Sequence, residues 1–137
     1  MRASLTLEAS SAAATLFAAL AALSAGATSA EPAQSDAAAI VRISSLLRFR
    51  PDTVTVHAGD TVEWRNASIE THTVTDEPAT AKNAADADLP AGAQAFDSGP
   101  LRPGEVYRHT FNVPGRYRYF CRPHEAHGMV AVVVVAP

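Results

Sequence analysis

The chain has 137 residues, of which 47% are hydrophobic and 18% are charged, and its formal net charge is -3 at pH 7. This length accommodates one domain, and the apolar content suffices for an ordinary packed core. Basic and acidic residues are interspersed, which excludes the basic stripe of a nucleic-acid-binding protein.

The N-terminal segment predicts export. Arg2 is followed by an apolar run over residues 12–23 and then by small residues, which is the pattern of a secretory signal peptide over residues 1–30. Cleavage after Ala27 and cleavage after Ala30 both fit. An uncleaved N-terminal anchor is the alternative, although the apolar run is short for a membrane span. We expect a processed bacterial protein that is periplasmic or secreted and has no stable membrane insertion.

Residues 31–39 are rich in Ala and lack periodicity, so we expect a flexible leader before one domain over residues 40–137. Within the domain, polar and apolar residues alternate over residues 53–57. Ala58-Gly59-Asp60 then turns the chain into residues 61–65. This pattern predicts a β-hairpin.

Further strands are predicted along the rest of the chain. They cover residues 71–75, 106–111, 116–120 and 129–135. Four consecutive valines in the last of them are typical of a strand buried within a sheet. Residues 76–95 carry no strand pattern and are predicted to form a surface loop with one helical turn. Seven to eight short strands separated by Gly and Pro turns predict an all-β fold, a Greek-key β-sandwich.

A thiolate, an imidazole and a thioether lie within the segment Cys121–Met129, between two predicted strands. Two His, one Cys and a weak axial Met form the ligand set of a blue-copper centre. Cys121, His124 and Met129 would supply three of these ligands, and the second His must come from another segment. Cys121 is the only cysteine, and metal ligation accounts for an unpaired thiol in an exported protein.

Ordered motifs along the domain resemble the cupredoxin family, and within it the plastocyanin-like type 1 (blue) copper proteins. The motifs are Val54–Asn66, Thr71–Val74, Phe96–Gly99, Pro114–His124 and Gly128–Val130. The spacing from Cys121 to His124 and from His124 to Met129 is that of plastocyanin-like loops. The resemblance implies that His72 is the fourth ligand of one copper ion, which cycles between Cu(I) and Cu(II).

The resemblance also implies roles for residues around the ligands. Asn66 is expected to tie the segment of His72 to the Cys121 loop. Thr73 stands where plastocyanins often have Asn, which leaves the hydrogen bonding around the thiolate open.

Three further histidines are not expected to bind the metal. His57 is predicted to be exposed, and His109 to lie in the interior or at its rim. His127 lies inside the segment Cys121–Met129, which we call the copper loop, and an exposed imidazole is favoured over ligation there because four ligands are already supplied. Together with Arg122 and Glu125 it would make the loop polar, so we expect a docking face that is smaller or more charged than in plastocyanins.

These expectations describe a carrier of single electrons and not an enzyme. Redox partner proteins would dock transiently near His124, and the carrier would be a monomer without a nucleic-acid partner. A periplasmic copper carrier or storage protein with the same ligands is the alternative. A multicopper oxidase would need His-x-His pairs, which the sequence lacks, and a Cys121/His124 nucleophile would need an orienting third group.

Overall fold

The computed structural model describes residues 35–137, and in this part of the chain seven strands form nearly all of the regular structure. They are β1 (Ala39–Ser44), β2 (Arg48–Arg50), β3 (Thr53–His57), β4 (Thr61–Asn66), β5 (Val106–Thr110), β6 (Gly115–Phe120) and β7 (Val130–Ala136). The predicted signal peptide and residues 31–34 of the predicted leader lie outside the described residues. No helix within residues 35–137 is long and apolar enough to cross a membrane.

The strands form two sheets with a shared core. One has the order β2-β1-β4-β5 and the other the order β3-β7-β6. The pairs β1/β4 and β3/β7 are parallel and the remaining pairs are antiparallel. Burial alternates along β1, β2, β3 and β5, as a two-layer sandwich requires, whereas β4 and β7 each bury three consecutive residues. The predicted all-β sandwich is confirmed.

The predicted hairpin over residues 53–65 is wrong. β3 pairs with β7, whereas β4 pairs with β1 and β5 in the other sheet. The turn itself forms, since the backbone N–H of His57 donates to Asp60 Oδ2 at 2.7 Å and Gly59 has a φ of 95°. Both strands bury apolar residues against the same core, so the turn carries the chain from one layer to the other.

The predicted strand over residues 71–75 is reduced to isolated bridges. His72 pairs with Leu101, and Thr75 pairs with Phe120 and Asp97. The predicted loop over residues 76–95 contains two short 3-10 helices, Pro78–Thr80 and Ala84–Asp86. These irregular segments leave the backbone around His72 free to turn its side chain towards the loop after β6.

A cluster of aromatic side chains fills the core between the sheets. Trp64 is completely buried. Its ring centroid lies 5.5 Å from that of Tyr119 and 5.7 Å from those of Phe96 and Tyr107. β7 lies at the centre of its sheet and buries Val132, Val133 and Val135, as its run of valines predicts. This packed core provides a rigid base for the loop between β6 and β7.

Candidate metal centre

Three potential donor atoms converge between the end of β6 and the start of β7. Nδ1 of His72 lies 3.2 Å from Nδ1 of His124 and 3.6 Å from Sγ of Cys121. Sγ of Cys121 lies 3.4 Å from Nδ1 of His124. The fold therefore brings His72 together with a cysteine 49 positions later in the chain.

This triangle has the size that a single metal ion needs. Bonds of about 2.0 Å to nitrogen and about 2.3 Å to sulfur, spread in a plane or a shallow pyramid, separate the nitrogens by about 3.3–3.5 Å and nitrogen from sulfur by about 3.5–3.7 Å. The observed edges are close to these values. Met129 is fully buried, and its thioether adds a soft donor of the kind that serves as a weak axial ligand.

Backbone hydrogen bonds hold the three donors independently of any metal. His72 exchanges two hydrogen bonds with Leu101, at 3.0 and 2.8 Å. The N–H of Cys121 donates to the carbonyl of Met129 at 3.0 Å, and the N–H of His124 donates to the carbonyl of Cys121 at 3.1 Å. The donor-bearing residues thus keep their places through the sheet edge and the loop.

The loop itself is a 3-10 helix, Arg122–His127, with Pro123 in its first turn. Three residues per turn place His124 on the same side as Cys121. Gly128 ends the helix with a φ of 70°, and its N–H donates to the carbonyl of Glu125 at 2.8 Å. This left-handed residue turns the chain so that Met129 enters the core.

Hydrogen bonding selects the tautomer of His72. Nε2 of His72 lies 2.9 Å from Oγ of Ser68, whose hydroxyl is 2.7 Å from Oδ1 of Asn66 and can donate there. Ser68 then accepts from the Nε2–H of His72, which leaves Nδ1 unprotonated and able to bind a metal. Ser68 could not be identified from the sequence, because a serine in an irregular segment carries no pattern that marks it as a partner of His72.

Asn66 does not make the predicted contact with the Cys121 loop. Its Nδ2 donates to the carbonyls of Glu70 and Leu101, at 2.7 and 2.9 Å, and its Oδ1 accepts from Ser68. Asn66 therefore orders the segment that leads to His72. The prediction was wrong because the carbonyl groups within reach of the Asn66 amide are those of Glu70 and Leu101, and neither belongs to the Cys121 loop.

Thr73 makes the connection to the Cys121 loop. Its Oγ1 accepts from the N–H of Arg122 at 2.8 Å, and its own N–H points to Sγ of Cys121 at 3.4 Å. Thr73 is buried, so neither bond competes with bulk water. These two contacts show how Thr73 takes part in the hydrogen bonding around the Cys121 sulfur, which the sequence leaves open.

Burial sets the protonation of the donors. It lowers the pKa of His72, and the neighbouring His124 lowers it further. Burial raises the pKa of Cys121, against smaller opposing effects of hydrogen bonding with Thr73. His72 is thus held in the neutral form that binds metals, whereas the Cys121 thiol must lose its proton when a metal binds.

The copper loop is less polar at its surface than its sequence suggests. Glu125 is 5% exposed, and its carboxylate accepts from the backbone N–H groups of Lys82 and Asn83 at 3.0 and 2.8 Å. Arg122 pairs with the carboxylate of Asp97. Glu125 therefore clamps the loop to residues 82–83 and does not face a partner, whereas the side chain of Arg122 stays 31% exposed in its ion pair.

The remaining histidines occupy the predicted positions. The side chain of His57 is 76% exposed. His109 is half-buried, with its ring centroid 4.8 Å from those of Phe96 and Phe111. His127 is exposed, and its ring centroid lies 6.2 Å from that of His124. None of the three joins the cluster of donor atoms found within the described residues.

Sequence comparison identifies the family. A family model described as copper binding proteins, plastocyanin/azurin family, matches residues 36–136. The chain belongs to this family. The chloroplastic plastocyanin of Tetradesmus obliquus is 42% identical over 93 residues, which cover 67% of this chain and 61% of that relative. The plastocyanin of Scenedesmus fuscus is 36% identical over 97 residues, which cover 67% of this chain and 90% of that relative.

Solved structures agree with the plastocyanin/azurin assignment. Amicyanin from Paracoccus versutus is similar with a TM-score of 0.56 and 29% identity, covering 76% of this chain and 85% of that one. A purple cupredoxin from Nitrosopumilus maritimus shares the fold, with a TM-score of 0.58. The resemblance to plastocyanin-like cupredoxins is confirmed, and copper is the metal that this family and the His, Cys and Met cluster support.

Proposed function

We propose that this protein is an exported one-electron carrier in which His72, Cys121, His124 and Met129 hold one copper ion. The observation that carries the proposal is the triangle of donor atoms, with edges of 3.2, 3.4 and 3.6 Å, in a chain of the plastocyanin/azurin family. Bound copper would supply a one-electron couple between Cu(I) and Cu(II), which this mixture of nitrogen and soft sulfur ligands accommodates.

The rigidity of the donor residues supports electron transfer. His72, Cys121 and Met129 are fully buried, and their backbones are held by hydrogen bonds to one another and to Leu101. A preorganised set of donors moves little when the charge at its centre changes, so the reorganisation that opposes transfer stays small. Slow access to such a buried set also favours a carrier of electrons over a carrier that hands on copper ions.

His124 provides the route to the surface. Its side chain is 17% exposed, whereas the other three proposed ligands are fully buried. Nε2 of His124 lies 3.8 Å from the carboxylate of Glu70, and the adjacent Ile69 is 87% exposed. We propose that redox partners dock transiently at this edge, over the small interface typical of such complexes.

Voltammetry of the copper-loaded protein in solution tests the proposal. We expect a reversible one-electron couple and retention of copper through repeated cycles. Cys121→Ser, which replaces the thiolate by a hydroxyl, should abolish the couple, whereas His57→Ala should leave it unchanged. A colourless protein that passes Cu(I) to a chelator and shows no couple would instead support a copper carrier.

Export and the monomeric state are separate parts of the proposal. Mass spectrometry of the protein recovered from a bacterial periplasm should show a new N-terminus after Ala27 or Ala30, and an N-terminus at Met1 would contradict processing.

Sedimentation of the processed protein should give the mass of one chain, and a dimer would contradict the monomer.

A further inference from the structure

The outer face of the four-stranded sheet concentrates arginine. Burial alternates along β1, β2 and β5, so that one set of side chains points to the core and the other to solvent, whereas in β4 the outward Glu63 is buried as well. The solvent-side arginines form what we call the basic face: Arg42, Arg48, Arg50, Arg65 and Arg108. Glu63 is the only acidic residue in these four strands, on a chain whose net charge is -3.

Strand register places three arginines of the basic face side by side. Arg42 lies opposite Arg50 of β2 and opposite Arg65 of β4. Neighbouring strands are about 4.8 Å apart, and like charges directly opposite one another destabilise a sheet. Arg42 thus has a like charge on each side, an arrangement that an anionic partner would relieve.

The basic face is only partly neutralised from within. Glu63 is buried and accepts from the guanidinium groups of Arg65 and Arg108. Within residues 35–137, Arg42 and Arg50 form no salt bridge, and both are exposed. Five arginines against one glutamate leave an excess of positive charge in the face.

The basic face reaches the candidate metal centre. Nη1 of Arg48 donates to the carbonyl of His127, in the copper loop, at 3.1 Å. Arg50 lies about 7 Å farther along the same strand. Leu46, two residues before Arg48, is 77% exposed. A partner that covers this end of the basic face would therefore also approach the exposed edge of His124.

We propose that the basic face docks an acidic patch on the redox partner protein and so orients the partner at His124. This proposal rests on the proposed electron-carrier function. The planar guanidinium group matches a carboxylate with two parallel hydrogen bonds, and exposed charges steer an approaching partner over about 10 Å at 0.1 M salt. Anionic lipid headgroups share the charge but are not redox-active, so the continuity of the basic face with the copper loop favours a protein partner.

A gold electrode coated with a carboxylate-terminated monolayer serves as the probe for an acidic protein surface. The copper-loaded protein should adsorb at low ionic strength and exchange electrons while it is bound. In Arg42→Gln/Arg50→Gln we expect adsorption about tenfold weaker, since each exposed ion pair contributes modestly. The matched control is Arg102→Gln/Arg116→Gln, which loses the same charge at exposed sites off the basic face and should change adsorption less than about twofold.

Two outcomes would overturn this docking surface. Equal weakening in both double variants would mean that net charge alone drives adsorption. The second outcome is tighter binding of the protein to vesicles of phosphatidylglycerol and phosphatidylcholine than to the carboxylate monolayer. If that binding depended on Arg42 and Arg50, the basic face would serve a membrane. The couple measured in solution separates these failures from failure of the proposed function, because neither arginine contacts the donor residues. Unfolding should show Arg42→Gln/Arg50→Gln no less stable than wild type, since the like charges are relieved.

Discussion

Replacing Glu125 tests whether the loop that carries His124 is clamped to the neighbouring surface loop. The buried carboxylate accepts from the N–H groups of Lys82 and Asn83 at 3.0 and 2.8 Å. Hydrogen bonds to a charged group contribute about 1.5–3 kcal/mol each. Both donors belong to exposed residues, so water can replace part of the loss and the lower end of this range applies.

Two substitutions grade the effect. Glu125→Gln keeps one acceptor oxygen and should lower the free energy of unfolding by about 1.5 kcal/mol, whereas Glu125→Ala removes both acceptors and should lower it by about 3 kcal/mol. For a domain of about 100 residues these losses correspond to falls in Tm of about 7 and 14 °C. Asp88→Asn is the matched control, because it removes a negative charge from an exposed residue of the same surface loop.

Urea unfolding of the metal-free protein measures these differences without a contribution from bound copper. Hydrogen exchange should also quicken at the amides of Lys82 and Asn83 in Glu125→Ala. The clamp would be refuted if Glu125→Ala unfolded within about 0.5 kcal/mol of wild type, or if exchange at both amides stayed unchanged.

Three further substitutions probe a hydrogen bond beside the centre, the ion pairs of Glu63 on the basic face and the turn at Gly128. Thr73→Val removes the acceptor of the Arg122 N–H and should cost about 1–3 kcal/mol in urea unfolding relative to Thr73→Ser, which keeps the hydroxyl; equal stability would contradict this. Burial alone would raise the pKa of Glu63. Hydrogen bonds from Ser35, Arg65 and Arg108 outweigh burial and lower this pKa from 4.5 to about 2. The advantage of wild type over Glu63→Gln should therefore be full above pH 4.5 and disappear as the pH falls through about 2, and a difference independent of pH would exclude the ion pair. Gly128→Ala should cost about 1–2 kcal/mol, since a φ of 70° is strained for alanine although open space surrounds the position, and unchanged thermal unfolding would argue against that strain.

The donors within the loop could be predicted because they are close together in sequence. Cys121 and His124 are one 3-10 turn apart, so their spacing carries the geometry directly. His72 lies 49 positions before Cys121, and no periodicity connects the two. Only the resemblance to a known family identifies His72 as a ligand. The fold then shows that the bridge to Leu101 holds the backbone of His72 beside the loop.

The strand pairing could not be read from local patterns. The turn at Gly59 looks the same whether the strands on either side pair with each other or join two layers. In the structure β3 pairs with β7, and Val54 and Val56 share the core with Val133 and Val135. Local turn chemistry therefore predicts where the chain reverses but not which strand becomes the neighbour.

The hydrogen-bond partners of polar residues near the candidate metal centre could not be predicted from local sequence either. Glu125 was expected to make the copper loop polar, yet it is buried, and two backbone N–H groups from a distant loop satisfy its carboxylate. Asn66 was assigned the wrong partner, and Thr73 fills the role. A side chain's chemistry tells which bonds it can make, whereas the fold decides which partners lie within reach.

Addition of Cu(II) to the purified protein, followed by visible absorption, tests the central claim most directly. The account predicts an intense thiolate-to-copper band that saturates at one copper per chain, persists in His57→Ala and is lost in His72→Ala. Absence of the band in the wild type, or a band of full strength in His72→Ala, would contradict the proposed copper centre.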